Sequence, residues 1–88
     1  MPKARPLIAV IDDEESVRKA LGRLLQSVGM MVETFSGGGE FLEALATRRP
    51  ACAVADLHMP EMSGFDLLER LHSPGIRCLL YTSDAADE

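Results

Sequence analysis

Two short apolar runs govern what this chain can fold into. Leu7 to Ile11 reads LIAVI and Ala51 to Ala55 reads ACAVA, and no polar residue interrupts either. A strand with one wet face alternates apolar and polar side chains. An unbroken run marks a strand buried on both faces. Such strands belong to parallel sheets, whose crossover helices cover both sides.

The segments between the runs supply those helices. From Glu15 to Val28 the apolar residues are Val17, Leu21, Leu24, Leu25 and Val28, one stripe of an amphipathic helix that Gly29 ends. Met31 to Phe35 reads as a strand. The stretch after it carries Phe41, Leu42, Leu45 and Ala46 on a short helix that must stop before Pro50. Ser63 caps a third helix with Phe65, Leu68 and Leu71 as its inward stripe. Ser73 to Gly75 turns the chain, and a fourth strand begins near Ile76. The order βαβαβαβ implies one α/β domain with a doubly wound parallel sheet.

Both apolar runs end on acid. Asp12 and Asp13 follow the first, and Asp56 follows the second. In an open sheet of order 2-1-3-4-5 these strands are neighbours, and ligands bind beyond the carboxyl ends of strands. Asp12, Asp13 and Asp56 are therefore expected in one crevice. Three clustered carboxylates repel one another, and a divalent cation removes that cost. Oxygen ligands of this kind favour magnesium. Each acid alone has a plainer reading: Asp12 to Glu15 suit a helix N-terminus, and Asp56 could be a turn residue. Only a metal site accounts for both acidic strand ends at the predicted switch point.

Composition narrows the function. Lys and Arg total 9 against 14 Asp and Glu, a formal charge of −5. This argues against direct nucleic-acid binding by the segment, which would need a basic footprint. No apolar run is long enough to span a membrane or serve as a secretion signal. With 2 cysteines, Cys52 and Cys78, a reduced cytoplasmic setting is expected, with Cys52 a small core residue.

The stretches VIDDEESVRKAL and DLHMPEMSGFDLL resemble the receiver domain of bacterial two-component response regulators. The resemblance covers Leu7 to Arg77, an incomplete receiver of flavodoxin-like fold that stops after about the fourth strand. It implies that Asp56 accepts a phosphoryl group from a phosphohistidine on a sensor histidine kinase. It implies further that Asp13 holds magnesium directly, that Asp12 acts mainly through water, and that the backbone carbonyl of His58 is another ligand. Pro60 and Gly64 would shape the loop between them. Such a module catalyses its own phosphorylation and is not an enzyme with a separate substrate. The stretch VETFSGGGEFLEAL is similar to regulators whose output domain is a helix-turn-helix DNA binder, a domain outside this sequence. The alternative is a phosphorylation-independent interaction module of receiver fold, or a fragment without function.

Three features depart from the family. Its members place a lysine at the end of a fifth strand, whereas the lysines here are Lys3 and Lys19. Neither matches. Thr82 comes too early to match the family's Ser or Thr at the end of the fourth strand. Finally, Cys78 to Glu88, CLLYTSDAADE, resembles the translation of a transposase-type sequencing adapter, so residues 78–88 are expected to be a non-native tail. The open alternative is a divergent fourth strand. His72, Met59 and Met62 read as surface or packing residues.

Overall fold

The computed structural model describes residues 6–57, 64–70 and 76–81. It contains β1 (Leu7–Ile11), α1 (Glu15–Ser27), β2 (Met31–Phe35), α2 (Gly38–Ala44), β3 (Cys52–Asp56), α3 (Gly64–Arg70) and β4 (Arg77–Tyr81). The strands form a parallel sheet in the order β2-β1-β3-β4, as the alternation of elements requires. β1 is central and fully apolar because both neighbours and both helical layers close over it. Ala9 to Ile11 are buried without exception.

The two faces of the sheet carry different helices. On one, Ala9, Ile11, Ala53 and Ala55 pack with Phe41 of α2 and Leu67 of α3 to form the core. The three alanines leave room for the bulkier helical side chains to approach the sheet. Phe41 meets Phe35 edge-on, with ring centroids 5.5 Å apart, a favoured aromatic geometry. On the other face α1 lies close to β2. Gly22 is buried there, and a Cβ at that position would stand 3.8 Å from Val32 Cγ1 and 4.0 Å from Thr34 Cγ2.

The ends of α1 follow from local chemistry. Gly29 takes a φ of 92°, the left-handed conformation that costs glycine little. The Gly29 amide donates to the Gln26 carbonyl, and the Met30 amide donates to the Leu25 carbonyl. This pair of bonds is a Schellman motif, and it satisfies carbonyls that the helix end would leave open. At the start of α2, Glu40 Oε1 accepts from both the amide and the hydroxyl of Ser36, because Gly37 offers no side chain for capping.

The packing differs from the sequence expectation in two places. Leu24 and Val28 belong to the apolar stripe of α1, yet they are 60% and 64% exposed. Among the described residues, nothing covers the β3–β4 half of that face, and Leu79 on β4 is 60% exposed as well. A cleft of about 770 Å³ opens there between α1 and the sheet, lined by Val17, Leu21, Val54, Leu79 and Tyr81 among others. In α3, Leu67 is completely buried although the expected stripe omitted it. Leu67 packs against Ala9, Ile11, Ala53 and Ala55, so the buried arc of α3 reaches it. Ser63 and Leu71, and the side chains of Phe65 and Leu68, lie outside the described residues.

Cys52 and Cys78 are free and half-buried on the adjacent strands β3 and β4. No described helix is long and apolar enough to cross a membrane.

Candidate metal centre

The parallel pairing of β1 and β3 places Ile11 opposite Ala55, so the residues that follow, Asp12 and Asp56, leave the sheet side by side. The Asp12 amide still donates to the Phe35 carbonyl, which carries the β2 ladder one residue beyond β1 and holds Asp12 in the sheet. Both side chains are removed from solvent, Asp12 at 0% and Asp56 at 1% exposure, while Asp13 is exposed. One carboxylate oxygen from each of Asp12, Asp13 and Asp56 can be chosen so that all lie within 4.8 Å of one another. The sequence expectation for this trio is met in its geometry.

Asp12 is anchored at several atoms. Its Oδ1 accepts the Glu14 amide at 2.8 Å, closing the turn that leads into α1. The Arg18 guanidinium, one turn into α1, donates to the Asp12 main-chain carbonyl at 2.7 Å. Its Oδ2 accepts the Tyr81 hydroxyl at 2.5 Å. Tyr81 stands opposite Asp56 in the β3–β4 register, which explains how a residue so distant in sequence reaches this carboxylate. Burial pushes the Tyr81 phenol well above its ordinary range. The hydrogen bond to Asp12 and the negative charges of Asp12, Asp56 and Asp13 push it the same way. Oδ1 thus shapes the turn that precedes α1, whose N-cap Glu14 has no side-chain cap bond, while the carboxylate remains part of the trio.

The donor set fits a hard divalent cation. Two buried carboxylates and one exposed carboxylate concentrate negative charge where little water can screen it. Isolated charges in such a place are costly unless paired or bound to metal. Oxygen donors alone, with Asp13 open to solvent, suit magnesium, which keeps several waters in its octahedral shell. Asp12, Asp13 and Asp56 would hold it.

The other residues singled out in the sequence divide into two groups. His58, with its carbonyl, and Met59, Pro60, Met62, His72, Thr82 and Lys3 lie outside the described residues. Lys19 sits on the exposed surface of α1 and pairs with Glu15 at 3.2 Å. It is thus occupied one helical turn away on the solvent side, as its position off the apolar stripe implies. Arg18 and Tyr81 were not anticipated. Arg18 follows the acidic pair at a spacing that lets α1 fold it back, but Tyr81 is recognisable only once the register of β4 is known.

Comparison with known proteins gives a consistent result. A family model for the response regulator receiver domain matches residues 8–88. The DNA-binding transcriptional regulator NtrC of Escherichia coli K12 is 40% identical over 67 residues, which are 76% of this chain and 14% of that protein. The transcriptional regulatory protein FixJ of Azorhizobium caulinodans is 39% identical over 75 residues, 85% of this chain and 35% of that protein. The chain thus spans a minor part of the curated relatives it matches. Among solved structures, a response regulator receiver protein from Burkholderia phymatum superposes with a TM-score of 0.81 at 36% identity, covering 93% of this chain and 70% of that one. FixJ-N superposes with a TM-score of 0.82 at 33% identity, covering 91% and 66%. With its β2-β1-β3-β4 sheet, its acidic strand ends and these relatives, the chain belongs to the response regulator receiver domain family of two-component systems.

Proposed function

We propose that Asp56 is the phosphoacceptor of this receiver domain and that the reaction depends on magnesium held by Asp12, Asp13 and Asp56. The observation that carries this reading is the convergence of three carboxylates from two separate strand ends to within 4.8 Å. An Asp56 carboxylate oxygen attacks the phosphorus of a phosphohistidine on a sensor histidine kinase. An O–P bond forms, the P–N bond breaks, and the imidazole leaves with the electron pair and takes up a proton. Magnesium held by these carboxylates would supply positive charge to offset the charge that develops on the moving phosphoryl group. As the family resemblance implies, Asp13 would be a direct ligand and Asp12 would act mainly through water. The resemblance would add the backbone carbonyl of His58, which lies outside the described residues. The domain is a signalling module rather than an enzyme acting on a separate substrate.

The intact parent is a cytoplasmic regulator with a helix-turn-helix DNA-binding output domain. The support is that NtrC is described as a DNA-binding transcriptional regulator and FixJ as a transcriptional regulatory protein, each longer than this chain. This segment itself, with net charge −5, does not bind nucleic acid directly.

One observation favours a second reading, an interaction module that works without phosphorylation. Among the described residues the one lysine, Lys19, pairs with Glu15 on the exposed surface of α1 rather than standing at the acidic trio. Isothermal calorimetry with magnesium separates the two. The phosphoacceptor reading expects binding that Asp13→Asn weakens, whereas wild type and variant binding alike, or neither binding, would favour the interaction module.

A further inference from the structure

Asp12 presents two oxygens, and each already accepts a hydrogen bond. The two donors are not equivalent. The Glu14 amide on Oδ1 is fixed by the backbone at the start of α1. The Tyr81 hydroxyl on Oδ2 belongs to a side chain that rotates about two bonds, carried on a strand at the sheet's edge. Tyr81 also lines the apolar cleft beside α1, whose volume of about 770 Å³ exceeds what a phenol ring needs. We propose that Tyr81 is a latch on the cation site: its hydroxyl competes with the divalent ion and the water that the ion carries for Asp12, and it swings into the cleft beside Val17 and Ala20 when the ion binds. The proposal rests on the magnesium reading of the acidic trio. The physical basis is that a hydroxyl proton and a cation both draw on one carboxylate, so each weakens the hold of the other. Tyr81 is a positioning residue in this scheme, since it acts on the ion only through Asp12.

The chain contains 1 tyrosine and no tryptophan, so intrinsic fluorescence reads Tyr81 directly. A phenol bonded to a carboxylate is quenched, and its release brightens it. Magnesium is titrated into the wild-type chain with fluorescence and calorimetry recorded in parallel, and calorimetry is repeated on Tyr81→Phe. The latch predicts a rise in fluorescence whose midpoint equals the calorimetric Kd. It also predicts that Tyr81→Phe binds magnesium roughly tenfold more tightly, the scale of a lost hydrogen bond to a charged group. Magnesium binding by wild type with unchanged fluorescence, or with equal or weaker binding by Tyr81→Phe, overturns the latch and leaves the magnesium site standing. Absence of calorimetric binding in both chains overturns the magnesium site and the latch together.

Discussion

Asp12 and Asp56 emerge from neighbouring parallel strands at the same level, because Ile11 is the register partner of Ala55. A slip of one residue between β1 and β3 would turn one of these side chains to the opposite face of the sheet. The register is protected by the core itself. Ala9, Ile11, Ala53 and Ala55 must all face Phe41 and Leu67 for that layer to close. Packing energy spent on the core thereby also sets the geometry of the carboxylates.

The two acids of the first loop should differ in their effect on the cation. Asp13 is exposed, whereas both oxygens of Asp12 are engaged by Glu14 and Tyr81. Asp13→Asn is expected to weaken magnesium binding by roughly tenfold or more, on the scale of about 1.5–3 kcal/mol for a contact to a charged group. Asp12→Asn is expected to cost less. Amide chemical shifts followed during magnesium titration of each variant measure both values. Equal affinities for Asp13→Asn and wild type would remove Asp13 from the site.

Gly22 offers a stabilising change. It lies inside α1, where glycine is unfavourable, and an added methyl would meet Val32 and Thr34 at ordinary contact distance. Gly22→Ala is expected to stabilise the fold by about 0.5–1 kcal/mol. Denaturant midpoints of the two chains at constant slope check this, and a lower midpoint for the variant would show that α1 packs more tightly on β2 than described.

The open half of the α1 face carries a cost. Leu79 is 60% exposed on an edge strand, and such edges invite association with other chains. This chain is therefore expected to self-associate. Leu79→Lys, which places a charge on that edge, should shift sedimentation toward the monomer without altering magnesium affinity. A wild-type chain that is monomeric at high concentration would contradict this.

The two cysteines give a prediction in pH. Burial raises the Cys52 thiol, an effect partly offset by Arg77, and raises the Cys78 thiol with a further push from Cys52. A folded-state pKa above the unfolded one means that the folded chain holds its protons longer. Stability from these groups is complete below the ordinary thiol value of 9.0 and declines as pH rises past it. Urea midpoints measured from pH 7 to 10 should fall at the alkaline end, and the fall should be smaller in Cys52→Ser/Cys78→Ser. Alkylation of the native thiols at neutral pH should also be slower than in urea.

Much of this arrangement was legible in the residues. Unbroken apolar runs located β1 and β3 because a strand covered on both faces has no polar positions. The spacing of Val17, Leu21 and Leu25, with Gly29 after them, located α1 and its end. Acid at two strand ends located the candidate site. What escaped depends on tertiary placement. The exposure of Leu24 and Val28 follows from how much of the sheet α1 can cover, which periodicity does not encode. The burial of Leu67 follows from its packing with Phe41 over the alanines and Ile11 of the sheet, contacts that periodicity does not encode. The bond from Tyr81 to Asp12 arises from the β3–β4 register, and no local pattern around Tyr81 signals it.

The central claim is that Asp56 accepts a phosphoryl group with the help of magnesium, and intact-mass measurement tests it most directly. The chain is incubated with a small acyl phosphate, with magnesium or with a chelator, beside Asp56→Ala. The account predicts the mass increase of one phosphoryl group in the wild-type chain with magnesium, and none with the chelator or in the variant. An Asp56→Ala chain that gains the phosphoryl group at the wild-type rate, or a wild-type chain that gains none with magnesium present, would contradict it.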